Sequence, residues 1–412
     1  MVGAGARLRE DIAFRRFWIA STVSYLGTAV GAVAMVVLVE RDLGGSAADL
    51  GVVTGARWAP YLLVGLFAGV VADRVRRRPL LVGTDAGRAV VLAAVPVCAL
   101  SGTLTIPLLT ALMFAFGVLS VGNDAAHQSF LPRLLPRDAL PRANARIEQS
   151  DAVAQTGGQG LGGGLVALLG APLATGIDAQ SYALSAALLA RVPAEEPGLR
   201  ERPGLRRVLA QVGEGLSWVY RHPTLRPLAL GTHWWFAFHA LLITVYGFYA
   251  LRELDIGEVG LGVTYACAGV GALVGSTAAE GLAARIGIGP AIAGSRVLEV
   301  AAFVVVIGAA AAPGPVAATV VAAAGQFGVG LGLGLEGPTE MSYRQGVTPD
   351  GLQGRMNSTM RSVNRTSIVL GAPLGGLLAD AIGLRPALWV GVVGMAAGGV
   401  ALGFSGLRHA VR

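Results

Sequence analysis

The chain has 412 residues, of which 54% are apolar and only 14% charged, with a formal net charge of +7. Ordinary globular chains carry about 25% charged residues, so a soluble fold would lack the polar surface it needs. The basic balance does not mark a nucleic-acid partner either, because the Arg residues sit in short loops between apolar runs, where they set membrane orientation.

A helix crosses the hydrocarbon with about 20 apolar residues, and twelve such runs follow one another. The first six are 17–39, 50–71, 80–100, 106–123, 147–169 and 173–192. Arg7, Arg9, Glu10, Asp11, Arg15 and Arg16 lead straight into the first of them, so no cleavable signal is expected. A polar stretch over 193–227 comes next. Within it Leu205, Val208, Leu209, Val212, Leu216 and Val219 recur at helical spacing, with Arg206, Arg207, Gln211 and Glu214 on the other face. This predicts a short amphipathic helix at the cytoplasmic interface that ties two halves together. The second six spans are 228–251, 259–279, 291–312, 316–335, 362–382 and 387–407.

The expected organisation is therefore all-α: an N-terminal six-helix bundle over 1–192, a linker over 193–227 and a C-terminal six-helix bundle over 228–412. An even number of spans puts both termini on one side. In and around the loops on that side lie 27 of the 32 basic residues, every one of them Arg. Such asymmetry predicts cytoplasmic termini in the inner membrane. Cys98 and Cys267 both fall inside apolar segments and are expected to pack helices, not to form a disulfide or hold a metal.

The two halves repeat. With a shift of 213 residues, Ser129, Pro136, Arg142, Asn144, Gly158, Gly162, Gly163 and Gly170 meet Ser342, Pro349, Arg355, Asn357, Gly371, Gly375, Gly376 and Gly383. A shift of 211 aligns Arg74, Pro79 and Gly83 with Arg285, Pro290 and Gly294, and sets Asp85 against Arg296 and Arg88 against Glu299. Parallel repeats about an axis along the membrane normal form a recurring transporter architecture, with the ligand near mid-membrane between the halves. Transport is thus expected in preference to catalysis; no Asp-rich cluster of the kind a membrane prenyl transferase uses to hold magnesium stands in any loop.

The loop after the second span carries Gly69, Asp73, Arg74, Arg76, Arg77, Arg78 and Pro79. An Asp ending a helix before an Arg cluster can pair with neighbouring helices and latch one conformation. Here the chain resembles the major facilitator superfamily, whose signature at this loop is Gly-x-x-x-Asp-Arg-x-Gly-Arg-Arg; Arg76 stands for the second Gly. The resemblance implies twelve helices in two parallel-repeat bundles and a latch of Asp73, Arg74, Arg77 and Arg78. The stretch from Leu131 through Pro136, Arg137 and Asp138 to Asn144 resembles one drug-efflux branch that includes macrolide-efflux and enterobactin-exporter proteins, and Glu214 to Pro223 is similar to the same branch. Gly158, Gln159, Gly162 and Gly163, with Gly371, Pro373, Gly375 and Gly376, resemble the glycine-rich antiporter signature of drug exporters and mark close helix packing.

Charges inside spans cost about 2.5–3.5 kcal/mol each on insertion scales and need a partner or a wet cavity. Asp85 and Arg88 share a helix face three residues apart, and Arg296 and Glu299 repeat the arrangement, so each is expected to neutralise itself. Arg57 has no such neighbour and is a cavity candidate. With Gln159, Asp178, Tyr25 and Tyr246 these residues form the candidate substrate and ion pathway. Asp124, Glu148, Asp151 and Glu336 are expected on solvated faces or at gates. Ser24, Thr28, Trp234, Trp235 and Phe238 are further candidates for the cavity wall, although Trp234 and Trp235, near a span end, are rather expected to anchor the membrane interface.

The branch resemblance implies export of a bulky amphipathic organic compound, a drug or natural product, by alternating access and proton antiport. A siderophore or endogenous metabolite is the alternative cargo, and a membrane-embedded enzyme or a non-transporting sensor is the alternative from another class. Two departures weigh on coupling: the fourth span lacks the Arg that many proton-coupled exporters carry there, and Gly27-Thr28 stands where many have an Asp. No cofactor or nucleic acid is expected, and the chain is expected to work as a monomer in the lipid bilayer.

Overall fold

A computed structural model describes residues 11–72, 76–136, 139–193 and 205–405. These form thirteen α-helices and, among the described residues, no strand. The first six are α1 (Ile12–Val37), α2 (Ala47–Ala72), α3 (Arg77–Leu100), α4 (Ile106–Leu134), α5 (Leu140–Leu169) and α6 (Ala171–Ala190). Then come α7 (Leu205–Arg221), α8 (Leu225–Phe248), α9 (Gly257–Ile286), α10 (Ile288–Gly308), α11 (Gly314–Val347), α12 (Asp350–Ile382) and α13 (Leu384–Gly403). Eight of them (α1, α3, α4, α8, α9, α10, α11 and α13) are long and apolar enough on their own to cross a membrane. Helices α2, α5, α6 and α12 pack among them, and α7 is the amphipathic segment.

Local chemistry sets the ends. Asp11 caps α1 by accepting from the Phe14 N–H at 2.8 Å, which satisfies one of the first turn's orphan donors. Gly170 and Gly383, partners in the 213-residue repeat, end α5 and α12 with φ of 82° and 95°, backbone that favours glycine. Helix α4 runs on to Leu134 and α11 to Val347, about three turns beyond the apolar runs read at 106–123 and 316–335. Intrahelical hydrogen bonds do not need apolar side chains. The stop comes instead from Pro136 and Pro349, which push the preceding Leu135 and Thr348 into extended backbone.

The repeat is visible in the backbone. α1 and α8 each close on a five-residue π-helical turn, Leu38–Asp42 and Tyr249–Glu253. Each turn is followed by a residue of positive φ, Gly44 at 58° and Asp255 at 49°, again 211 apart. Packing repeats as well: α1 lies on α5 and α6, and α8 on α12 and α13; α2 lies on α4, and α9 on α11. Across the halves α2 packs on α12 and α5 on α9. This is the major facilitator fold, all-α and membrane-spanning.

The repeated glycines divide their work in the same way. Gly158 and Gly162 bring α5 against Ala29 and Val30 of α1, and Gly371 and Gly375 bring α12 against Ala237 and Leu241 of α8. Gly163 and Gly376 face the other half: Gly163 meets Gly262 and the Glu258 carbonyl of α9, and Gly376 meets Ala47 and Ala48 of α2. In a bilayer, where apolar surface gains little from leaving lipid, such backbone approach is a principal source of helix association.

Candidate functional site

A cavity of about 410 Å³ lies between the two sets of helices. Met35, Thr54, Arg57, Trp58, Met113 and Gln159 come from the first half. Phe236, His239, Ile243, Tyr265, Gln326, Leu333 and Ile368 come from the second. Its volume falls in the range of about 300–1,000 Å³ typical of small-molecule pockets, and its mix of apolar walls with a few polar groups is likewise typical. Arg57 and Gln159, two of the pathway candidates, lie on this wall. Tyr246 does not: it is wholly buried, its hydroxyl donating to Thr264 at 2.7 Å, and Trp234 turns outward to bond the Gly394 carbonyl of α13 at 2.7 Å. Trp235 donates at 2.8 Å to Glu299 within the second half. Phe236, His239 and Ile243, one helical face away, reach the cavity instead.

A second, more polar cleft of about 390 Å³ lies towards the end where α1 starts. Ser24, Tyr25, Thr28, Asp85, Arg88, Asp124, His127, Asp151 and Tyr182 line it, with Arg361 and Arg365 of α12 reaching across. Tyr61 donates to Asp124 at 2.6 Å, and Ser21 and His127 lie 3.0 Å apart. Arg365 stacks on Trp58 with its guanidinium carbon 4.1 Å from the ring centroid. Trp58 lines the cavity and Arg365 the cleft, so this stack stands between the two chambers.

The two intramembrane charge pairs resolve differently. Asp85 pairs with Arg88, accepts from Asn123 at 2.9 Å and Ser185 at 2.6 Å, and Arg88 lies over the Tyr182 ring at 4.3 Å. Arg296 does not neutralise Glu299. It binds Glu336 of α11, with Nε and Nη2 at 3.0 and 2.7 Å from one carboxylate oxygen, and Nη2 also reaches Thr232 at 3.2 Å. Residues i and i+3 share a face, but α11 packs against α10 and offers Arg296 a better-aligned acceptor. Glu336 is thus a buried structural partner and not a solvated or gating group; it is 7% exposed. Thr232 extends the network by donating to Glu340 at 3.1 Å, and Arg344 pairs with Glu340 at 3.3 Å.

Asp178 lines neither chamber. It sits under α1, where a Cβ on Gly27 or Gly31 would strike its carboxylate at 2.8 or 2.6 Å. Ser181 is its hydrogen-bond partner, at 3.4 Å. The small residues at 27 and 31 therefore make room for an acid contributed by α6.

At the end away from the start of α1, the halves are clamped. Arg41 pairs with Glu258, and Arg252 with Glu40 at 3.1 Å, two ion pairs that cross from one half to the other. Arg252 also donates to the Gly45 carbonyl at 2.9 Å, and the Ala48 N–H donates to Asp380 at 3.2 Å. The Gly163 and Gly376 contacts lie near the same end. Nothing in the sequence alone pointed to these pairs, because their partners lie 217 and 212 residues apart.

At the other end α7 docks on the second half. Glu214 pairs with Arg355, Gly215 abuts the Arg355 carbonyl, and Trp218 donates to Thr348 at 3.2 Å. His233 Nδ1 lies 2.7 Å from Asn364 Oδ1, and the Tyr220 hydroxyl 2.9 Å from His233 Nε2. Burial raises the Tyr220 hydroxyl above its usual range, so it stays protonated and donates to His233, while Nδ1–H donates to Asn364. The segment expected only to tie the halves together is a docked element. Of the latch residues, Asp73 and Arg74 lie outside the described residues; Arg77 and Arg78 open α3, and Arg78 donates to the Ala190 carbonyl at the end of α6.

A twelve-span bundle of two related halves around a shared cavity defines a membrane transporter. Residues 3–411 match the family described as "Transmembrane secretion effector", and the chain belongs to that family of the major facilitator superfamily. An uncharacterized MFS-type transporter, y4rN of Sinorhizobium fredii, is 28% identical over 343 residues, 80% of this chain and 79% of its own length. The multidrug efflux pump Tap of Mycolicibacterium fortuitum is 27% identical over 378 residues, 85% and 87% of the two chains. Among solved structures, the nucleoside transporter NupG superposes with a TM-score of 0.73 at 10% identity, covering 95% of this chain and 98% of its own. A bacterial homolog of the human lysosomal transporter Spinster, inward-facing and unoccupied, gives 0.73 at 15% identity, covering 97% of each chain. At those identities the superpositions speak for the fold alone.

Proposed function

We propose that the protein is a secondary exporter of bulky amphipathic organic compounds, working by alternating access. One observation carries this: a cavity walled by both helix sets and clamped at one end by contacts that cross between them. The Tap relative, a multidrug efflux pump by name, supports the direction and the class of cargo. Residues 1–192 and 228–412 are the proposed rocking units, with 193–227 between them, and a single chain suffices because the cavity is complete within it. The Arg asymmetry supports cytoplasmic termini in the inner membrane, so the clamped end faces outward. Asp73, Arg74, Arg77 and Arg78 are the proposed latch at the cytoplasmic face.

Protons are the proposed counter-ion, with antibiotic resistance as the physiological outcome. The polar cleft supports a proton path, since neither Asp124 nor Asp151 has a cation within 4.0 Å among the described residues. The test is accumulation of dyes and macrolides in cells with and without the protein, with and without a protonophore. Lower accumulation that reverses on collapse of the gradient supports proton-driven export. Equal accumulation in both strains refutes export, and reduced accumulation that survives the protonophore refutes the coupling.

A further inference from the structure

The central cavity is asymmetric in charge and in hydrogen bonding. Among the described residues no Asp or Glu lines it, whereas Arg57 does. The Arg57 guanidinium rests on aromatic faces, 4.8 Å from the Phe116 centroid and 5.7 Å from that of Trp58. It has no carboxylate within 4.0 Å among the described residues. Asp178 acts on it through space but sits under α1, off the cavity wall and out of ion-pair reach. Arg365 flanks the other side of the Trp58 region, 4.1 Å from its centroid, and it too lacks a carboxylate within 4.0 Å among the described residues.

Two more polar groups face the same space. Gln326 is 1% exposed and its Nε2 makes no hydrogen bond beyond a loose approach to the Tyr246 hydroxyl, and His239 Nδ1 is buried without a partner. A buried donor left without an acceptor is costly, and a cation held partly out of water without a counter-ion is costlier. Aromatic faces offset only part of the Arg57 cost. The remainder is available to any guest that brings oxygen acceptors or negative charge. An organic cation in this cavity would meet the Arg57 guanidinium and, among the described lining residues, no carboxylate.

We infer that the central cavity selects amphipathic molecules bearing an anionic, oxygen-rich group, which Arg57 and Gln326 hold while Trp58, Phe236 and Ile243 cover the apolar body. The inference deepens the export reading and rests on it for the cargo's route, but the binding preference is measurable apart from transport.

The experiment uses the full chain in phosphatidylcholine nanodiscs, which carry no net headgroup charge; empty discs measure the lipid's own preference for hydrophobic anions, set by its dipole potential. Three aromatic probes of similar size are titrated against tryptophan fluorescence, with empty discs subtracted: the anion 1-anilinonaphthalene-8-sulfonate, the neutral N-phenyl-1-naphthylamine and the cation tetraphenylphosphonium. The anion is expected to bind at least tenfold tighter than the cation. Arg57→Gln should erase that preference with neutral binding kept, and Arg57→Lys, which retains the charge, should keep most of it. Gln326→Leu should weaken the anion and leave the cation unaffected. Equal or tighter binding of the cation, or an anion affinity unmoved by Arg57→Gln, overturns the assignment, as does failure of the anion to bind the parent protein. In proteoliposomes the two readings separate. Anion-selective binding without transport would support this site while failing the export proposal; efficient export of the cation in preference to the anion would overturn this site and leave the exporter standing.

Discussion

The glycines that face across the halves give the sharpest perturbation. An ideal Cβ on Gly163 would lie 2.5 Å from the Glu258 carbonyl oxygen and 2.9 Å from Gly262 Cα; one on Gly376 would lie 2.5 Å from Ala48 Cα. Carbon atoms pack at about 3.5–4.0 Å, so a single methyl requires the facing helices to part by about 1 Å at the clamped end. Overpacking of this kind costs about 1–3 kcal/mol. That cost is present only while this end is closed. At about 1.4 kcal/mol per factor of ten, Gly163→Ala or Gly376→Ala should move the population towards the conformation open at this end by about 5- to 150-fold. Gly158→Ala is the control: its Cβ would meet the Ala29 Cβ at 2.8 Å inside one half, a cost borne in both conformations. It should lower thermal stability and leave the equilibrium in place. The assay is the distance distribution between spin labels at Ala167 and Val259, exposed positions on α5 and α9 at the clamped end, with Cys98 and Cys267 replaced. If the cross-half substitutions widen that distance no more than Gly158→Ala does, the assignment of these contacts to the closing surface is wrong.

Other expectations follow from the same geometry. Arg296→Leu removes the cation that Glu336 needs and should cost about 3–5 kcal/mol, read as loss of folded protein in the membrane, and Arg296→Leu with Glu336→Leu should recover much of it. The crossed pairs Arg41–Glu258 and Glu40–Arg252 are partly exposed, so each should contribute no more than about 1 kcal/mol; Arg41→Gln should open the clamped end only slightly, and less still in high salt. Tyr220→Phe leaves His233 Nε2 without its donor, a loss of about 1–3 kcal/mol, and should make tryptic cleavage near Arg206 and Arg207 faster in membranes. Asp73→Asn should abolish export at unchanged expression; unchanged efflux in that variant would count against the latch.

The sequence was most legible where the physics is local or periodic. Apolar run length located eight helices that are long and apolar enough on their own to cross a membrane, the alternation of Leu and Val with Arg over 205–219 located α7, and the 213-residue repeat paired glycines that occupy equivalent contacts. Where it erred, the deciding interactions were long-range. Arg296 turned to Glu336 because α11 packs against α10, which spacing along one helix cannot reveal. Tyr246 gave way to Phe236 and His239 because an apolar helix with little amphipathic contrast does not declare which face meets its partners. Asp178 beneath Gly27 and Gly31 had a visible trace, two small residues one turn apart in α1, but not the identity of what would fill them. Helix ends ran past the hydrocarbon because prolines, not polarity, stop them.

Two label pairs on the same two helices test the central idea most directly: Ala167 with Val259 at the clamped end, and Ala145 with Ala284 at the other, all exposed. Distances are recorded in nanodiscs for the resting protein and for the Gly163→Ala variant, in the presence and absence of bound anilinonaphthalene sulfonate. Two bundles pivoting about the cavity predict opposite changes, the first pair lengthening as the second shortens. Both distances lengthening together, or neither moving under any of these conditions, would contradict alternating access in this protein.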